Sequence, residues 1–102
     1  MSAVVETLVA ARALIEHGWC QGDYRVGECV CSYGALQQAI NGDAEDCTIT
    51  ALDVEATAFL KQAMNCLSVV SWNDARGRTQ ADVLAAFDHA IELARAAQGG
   101  SR

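Results

Sequence analysis

The 102-residue chain has no proline, a single lysine and no apolar run long enough to cross a bilayer. The missing proline removes the strongest helix breaker, and with abundant alanine it favours helix through low backbone and side-chain cost. With lysine reduced to Lys61, most of the positive charge is arginine. Seven basic side chains against 13 acidic ones leave a formal net charge of −6. A nucleic-acid backbone is repelled by such a surface, which argues against a dedicated nucleic-acid binder and leaves room for a basic protein partner or a local arginine site. No stretch approaches the ~20 apolar residues of a membrane span. Met1 to Ile15 carries Glu6 and no basic leader, so it reads as an amphipathic helix and not as a signal peptide. Internal repeats and low-complexity tracts are absent as well.

What is present describes one globular domain, 52% apolar and 20% charged. Residues 1–98 read as a single helical domain and 99–102 as a flexible tail. Five cysteines, Cys20, Cys29, Cys31, Cys47 and Cys66, form an odd count without a secretion signal, which points to reduced thiols and a cytoplasmic location.

The apolar spacing predicts a first helix over Ser2 to His17, with Val4, Thr7, Leu8, Ala11, Leu14 and Ile15 on one face and Gly18 as its stop. Trp19 to Glu28 reads as a long loop. A second helix is predicted from Cys29, with Cys29, Tyr33, Leu36 and Ile40 on its inner face and Asn41-Gly42 at its end. Gly34 within it implies a close approach by a neighbouring segment. After the acidic loop of Asp43, Glu45 and Asp46, a third helix is predicted from Leu52-Asp53 through Trp72. Its apolar face is Ala56, Phe59, Leu60, Ala63, Leu67 and Val70. Thr79-Gln80-Ala81-Asp82 resembles a capping box. The helix it opens buries Val83, Phe87, Ala90, Ile91 and Ala94. The fold class is all-α, a compact bundle of about four amphipathic helices with one long loop between helices 1 and 2.

Several short motifs occur in a fixed order: Trp19-Cys20-Gln21-Gly22, Cys31-x-x-Gly34-Ala35-Leu36, Trp72-Asn73-Asp74, Gly77-Arg78-Thr79 and Val83-Leu84-x-x-Phe87-Asp88-x-Ala90-Ile91. In this combination the chain resembles a family of small proteins from actinobacteria, other bacteria and their phages to which no activity is assigned. The resemblance spans nearly the whole chain. It implies a one-domain helical protein of bacterial or phage origin and no mechanism.

Three constellations could carry chemistry. His17, Cys20, Cys29 and Cys31 offer four zinc-compatible ligands within fifteen residues around a glycine-bearing loop. Against this, the two Cys-x-x-Cys knuckles are missing, and Cys29 and Cys31 diverge if both are helical; buried free cysteine is the competing account. Trp72, Asn73, Asp74, Arg76, Arg78 and Thr79 precede a helix N-terminus, where a phosphate, a carboxylate or a nucleotide could bind with Trp72 as a stacking wall. Capping by Asp74 and Thr79, with the arginines paired locally, explains the same residues without a ligand. Trp19 and Trp72 could line a pocket, or plug the bundle with the indole N–H on a loop carbonyl.

A Cys-His-Asp trio can be drawn from Cys20 or Cys31, His17 or His89, and Asp88, but five cysteines in a small domain always permit one, and no catalytic residue is assigned. Asp88 is expected to bond a loop or Arg76, and His89 to face solvent. Nucleophile elbow, phosphate loop, paired-histidine motif and calcium loop are all missing. The reading that follows is a non-enzymatic accessory or interaction protein. It would present a helical face, or the Trp/Arg loop surface, to a protein partner or to a second copy of itself. A zinc-stabilised domain and a small-anion or nucleotide module are the alternatives.

Overall fold

Ser2 opens the first helix by accepting the Val5 N–H at 3.1 Å, and α1 runs over Ala3–His17. The computed structural model describes residues 2–46 and 48–100. Cys47 and the tail residues Ser101 and Arg102 lie outside the described residues. Val4, Val5, Leu8, Ala11 and Ile15 of α1 are buried, as the helical stripe requires.

Gly18 follows α1 with φ −176°, extended backbone that any residue adopts. The left-handed stop predicted from sequence is therefore corrected. A β-carbon there would lie 2.8 Å from the Cys29 Sγ, so a larger residue would require that thiol to turn aside.

The long loop is partly ordered by strands. β1 (Arg25–Val26) pairs antiparallel with β2 (Cys29–Val30), and Trp19 forms a parallel bridge to Val30. Cys29 is thus a strand residue. α2 covers Ser32–Asn41, starting three residues later than the spacing predicts, with the Cys31 Sγ accepting the Gly34 N–H at 3.2 Å as its N-cap. The buried face shifts accordingly to Ser32, Ala35, Leu36 and Gln37, leaving Tyr33 and Ile40 half-buried. Gly34 carries the predicted close approach: a β-carbon would overlap the Tyr24 carbonyl oxygen and lie 3.0 Å from its carbon.

α3 runs over Ala51–Met64, capped by Thr50, whose hydroxyl accepts the Asp53 N–H. The sequence predicts this helix to continue through Trp72, and it does not. Asn65 takes a left-handed conformation (φ 52°), one that asparagine tolerates better than most residues. The Cys66 N–H returns to Lys61 O and the Asn65 N–H to Gln62 O, the Schellman pattern that closes a helix. Ser68 then accepts the Ser71 N–H and starts a separate short helix, α4 (Val69–Asn73). Leu67, predicted on the buried face, lies in the connection and is 95% exposed.

α5 spans Gln80–Gly100 and includes Gly99 and Gly100, which the sequence reading assigns to the tail. Thr79 and Asp82 form the predicted box: the Thr79 hydroxyl accepts the Asp82 N–H, and the Asp82 carboxylate accepts the Thr79 N–H, both at 3.1 Å. Val83, Phe87, Ala90, Ile91 and Ala94 are all buried, and α5 packs between α1 and α3 with Phe87 fully enclosed. Among the described residues the architecture is a helix-on-helix globule of five helices with a two-stranded appendage, and no described helix is long and apolar enough to cross a membrane.

Candidate functional site

The loop after α1 and the short α4 meet at one side chain, Asn73, which is fully buried. Its Oδ1 accepts from Trp19 Nε1 at 2.7 Å, Ser32 N at 2.9 Å and Ser32 Oγ at 2.7 Å. Its Nδ2 donates to Cys20 O at 3.1 Å and to Asp74 Oδ1 at 3.0 Å. Around it, Gln21 Nε2 donates to the carbonyls of Asn73 and Ala75, and the Gly22 N–H donates to Asp74. A buried amide is tolerated only when its donors and acceptors are matched, and here they are. Residues from the Trp19–Gly22, Cys31–Leu36 and Trp72–Asp74 motifs thus converge on one structural knot.

The Trp19 plug follows from this, although its indole N–H finds the Asn73 side chain and not the backbone carbonyl expected. Trp72 is also engaged. The Arg78 guanidinium carbon lies 3.7 Å from the Trp72 ring centroid, and Arg78 Nε donates to the Trp72 carbonyl at 2.9 Å. Arg78 therefore covers a face that a nucleotide base would stack on, while Thr79 is turned to its own helix. Of the anion-candidate residues, Arg76 stays exposed and Asp74 serves the knot.

The candidate zinc ligands are distributed among other partners. His17 Nε2 lies 3.5 Å from the Glu28 carboxylate, both exposed. Cys31 caps α2, and the Cys20 thiol lies 3.5 Å from the carbonyls of Asp23 and Cys29. Among the described residues, no three His, Cys, Asp or Glu side chains are placed to share a metal ion. Burial, and secondarily the neighbouring Cys31, pushes the Cys20 thiol up to about 11, and burial raises Cys31 despite the Gly34 N–H. Neither is the low-pKa thiol that a nucleophile or redox centre uses. His89 is exposed, as expected. Asp88 pairs with Arg12 of α1 and not with a loop or Arg76, because the α1–α5 packing brings these two helices side by side.

A feature that sequence reasoning missed lies on the other side of α4. A groove of about 430 Å³ runs between α3 and α4, with Val69 and Val70 at α4 and Val54 and Ala58 on α3. Among the described residues six large apolar side chains are exposed, and three of them, Ile49 (73%), Val54 (58%) and Leu67 (95%), line this groove. Asp53, 3% exposed, accepts from Tyr33 Oη at 3.1 Å and Thr57 Oγ1 at 3.0 Å at the same groove, and Lys61 stands two turns further along α3. The only signal in the sequence was Leu67 itself, and helical periodicity assigned it to the core.

These features belong to a small helical domain with one closed polar knot and one open apolar groove. The chain is a member of a family of unknown function (DUF6197), whose model matches residues 1–93. No curated protein and no solved structure matches it.

Proposed function

We propose that this protein is a non-enzymatic accessory protein that works by binding another polypeptide through the α3–α4 groove. The observation that carries this reading is the gathering of Ile49, Val54 and Leu67 around one concavity. A folded monomer rarely leaves such side chains clustered in water, and a clustered set marks an interaction surface more often than scattered ones do. The groove takes apolar side chains from its partner, with polar groups meeting the exposed Lys61 at its edge. The net charge of −6 favours a protein partner over a nucleic acid. The raised Cys20 and Cys31 thiols support a role other than nucleophilic catalysis. The motif order that carries the resemblance supports a bacterial or phage setting, and the odd set of thiols a cytoplasmic one.

The groove is tested with an apolar fluorescent dye such as anilinonaphthalene sulfonate, titrated against dilute, folded protein. Saturable binding that Val54→Lys abolishes and Val26→Ser leaves intact is the expected result. Wild-type protein that binds no dye, or dye binding indifferent to Val54→Lys, overturns the reading.

A further inference from the structure

We infer that Cys20 and Cys31 are a disulfide site, open in the reduced protein, whose closure locks the loop after α1 onto the start of α2. This site is separate from the groove and does not depend on it.

Register brings the pair together. The Val30 N–H donates to Gly18 O at 3.0 Å and the Cys20 N–H to Val30 O at 3.1 Å, the slanted pattern of a parallel ladder centred on Trp19 and Val30. Gly18 therefore stands opposite Cys29, and Cys20 opposite Cys31. Residues two apart along a strand share a face, so positions 18, 20, 29 and 31 face one side of the pair. The spacing can be read at the first couple: a β-carbon on Gly18 would lie 3.5 Å from the Cys29 Cβ. Disulfides span Cβ separations of about 3.5–4.5 Å. After burial, Cys31 is the largest influence raising the Cys20 thiol, ahead of Cys29, as its nearness requires.

Beyond this couple the Asn73 amide replaces the next rung, donating to Cys20 O and accepting from the Ser32 N–H. A bond between Cys20 and Cys31 would therefore close the ladder beside the seat of Asn73.

Access sets the order of events. Cys20 is half-buried and Cys31 is 2% exposed, with a cleft of about 210 Å³ between Gly22, Tyr24, Val70 and Asp74 reaching it. The Cys20 thiolate attacks one sulfur of a small disulfide, whose S–S bond breaks, and the released thiolate takes up a proton. The Cys31 thiolate then attacks Cys20 Sγ, forming the bridge and expelling the second small thiol. Two electrons pass to the small disulfide, and the protons of Cys20 and Cys31 end on its two thiols. Burial of both thiols makes the attack slow, which suits a lock set by the surrounding redox poise and not a turnover relay.

The test incubates the folded, reduced full-length chain with hydroxyethyl disulfide, alkylates the remaining thiols and maps the peptides by mass spectrometry. The expected product has lost two hydrogen atoms and joins the Cys20 and Cys31 peptides. Cys29→Ser leaves that bridge intact, while Cys20→Ser and Cys31→Ser abolish it. Circular dichroism confirms that each variant keeps its helical content. Because closing a loop of about a dozen residues constrains the unfolded chain, the bridge should form roughly a hundredfold more favourably in the folded protein than in urea. Alkylation of both Cys20 and Cys31 without a bridge overturns the inference. So does a bridge from Cys20 to Cys29, or an equilibrium no more favourable in the folded protein than in urea.

Discussion

Replacing Asn73 by alanine leaves the donors and acceptors of the knot in place and removes what matches them. The Ser32 N–H, which like Asn73 has no solvent exposure, loses its acceptor outright. An orphaned buried amide costs about 1–3 kcal/mol. The Trp19 indole N–H and the Cys20 carbonyl are only part-buried, so water replaces much of what they lose, at about 1 kcal/mol each. The Ser32 hydroxyl is buried too and donates to the same oxygen, so the sum without it is a lower figure. The sum is about 3–5 kcal/mol, a large share of the 5–15 kcal/mol typical of a domain. At roughly 4–8 °C per kcal/mol for a chain of this size, the melting temperature should fall by roughly 12–40 °C. Urea unfolding followed by circular dichroism and by tryptophan fluorescence measures it, with the wild-type slope serving to confirm that both transitions are two-state. A loss under about 1 kcal/mol would refute the reasoning, since it would mean that water satisfies Ser32 as well as Asn73 does.

Three further perturbations probe other parts of the structure. Gly34→Ala adds a good helix former, worth up to ~1 kcal/mol in an open helix, but should destabilise here by more than that, because the methyl meets the Tyr24 carbonyl; a stabilised variant in a thermal melt would contradict the close approach. Asp88→Asn should cost no more than about 1 kcal/mol, because its pairing with Arg12 lies at the surface, and a chemical-denaturation loss well above that would show the pair to be shielded from solvent. The Cys20 thiol titrates near 9 in the unfolded chain and about 11 in the folded one. Folding therefore favours the protonated thiol, and its contribution is whole below pH 9 and lost as pH rises from 9 to 11. Stability measured across that window should fall more steeply for wild type than for Cys20→Ala, and parallel curves would count against the shift.

The parts of this fold legible in the sequence are those fixed by long-period local pattern. α5 shows its whole inner face, Val83 to Ala94, because a helix of 21 residues repeats its period several times. Its start was legible too, since the Thr79–Asp82 box is read within four residues. α2 was phased wrongly because Cys29, a strand residue, was counted into a helix too short to expose the error. α3 and α4 were fused because Leu67 and Val70 continue the 3.6-residue spacing by coincidence. The competing signals, Asn65 as a left-handed cap and Ser68 as an N-cap, are single residues that a period outweighs. The knot was out of reach for another reason. Asn73 finds its partners 41 and 54 positions away along the chain, and no local rule pairs residues at such separations. The sequence marks Trp19, Asn73 and Asp74 as ligand candidates, or Trp19 as a plug and Asp74 as a cap, and pairs none of them with another. The groove needed the reversed turn at Asn65 before Leu67 could appear on it.

The knot also determines how this protein opens. A hairpin with two residues per strand and a helix of five residues are each too small to hold a conformation alone. Each is held because the other is in place, with Asn73 as the shared fastening. The segment from Gly18 to Cys31 and the helix Val69–Asn73 should therefore act as one cooperative unit, whose amides are expected to exchange with solvent together and ahead of those in α1 and α5. One wall of the apolar groove, Val69 and Val70, belongs to that unit. Whatever seats itself in the groove thus steadies a hairpin on the far side of the short helix, and the two faces of α4 share a single opening equilibrium.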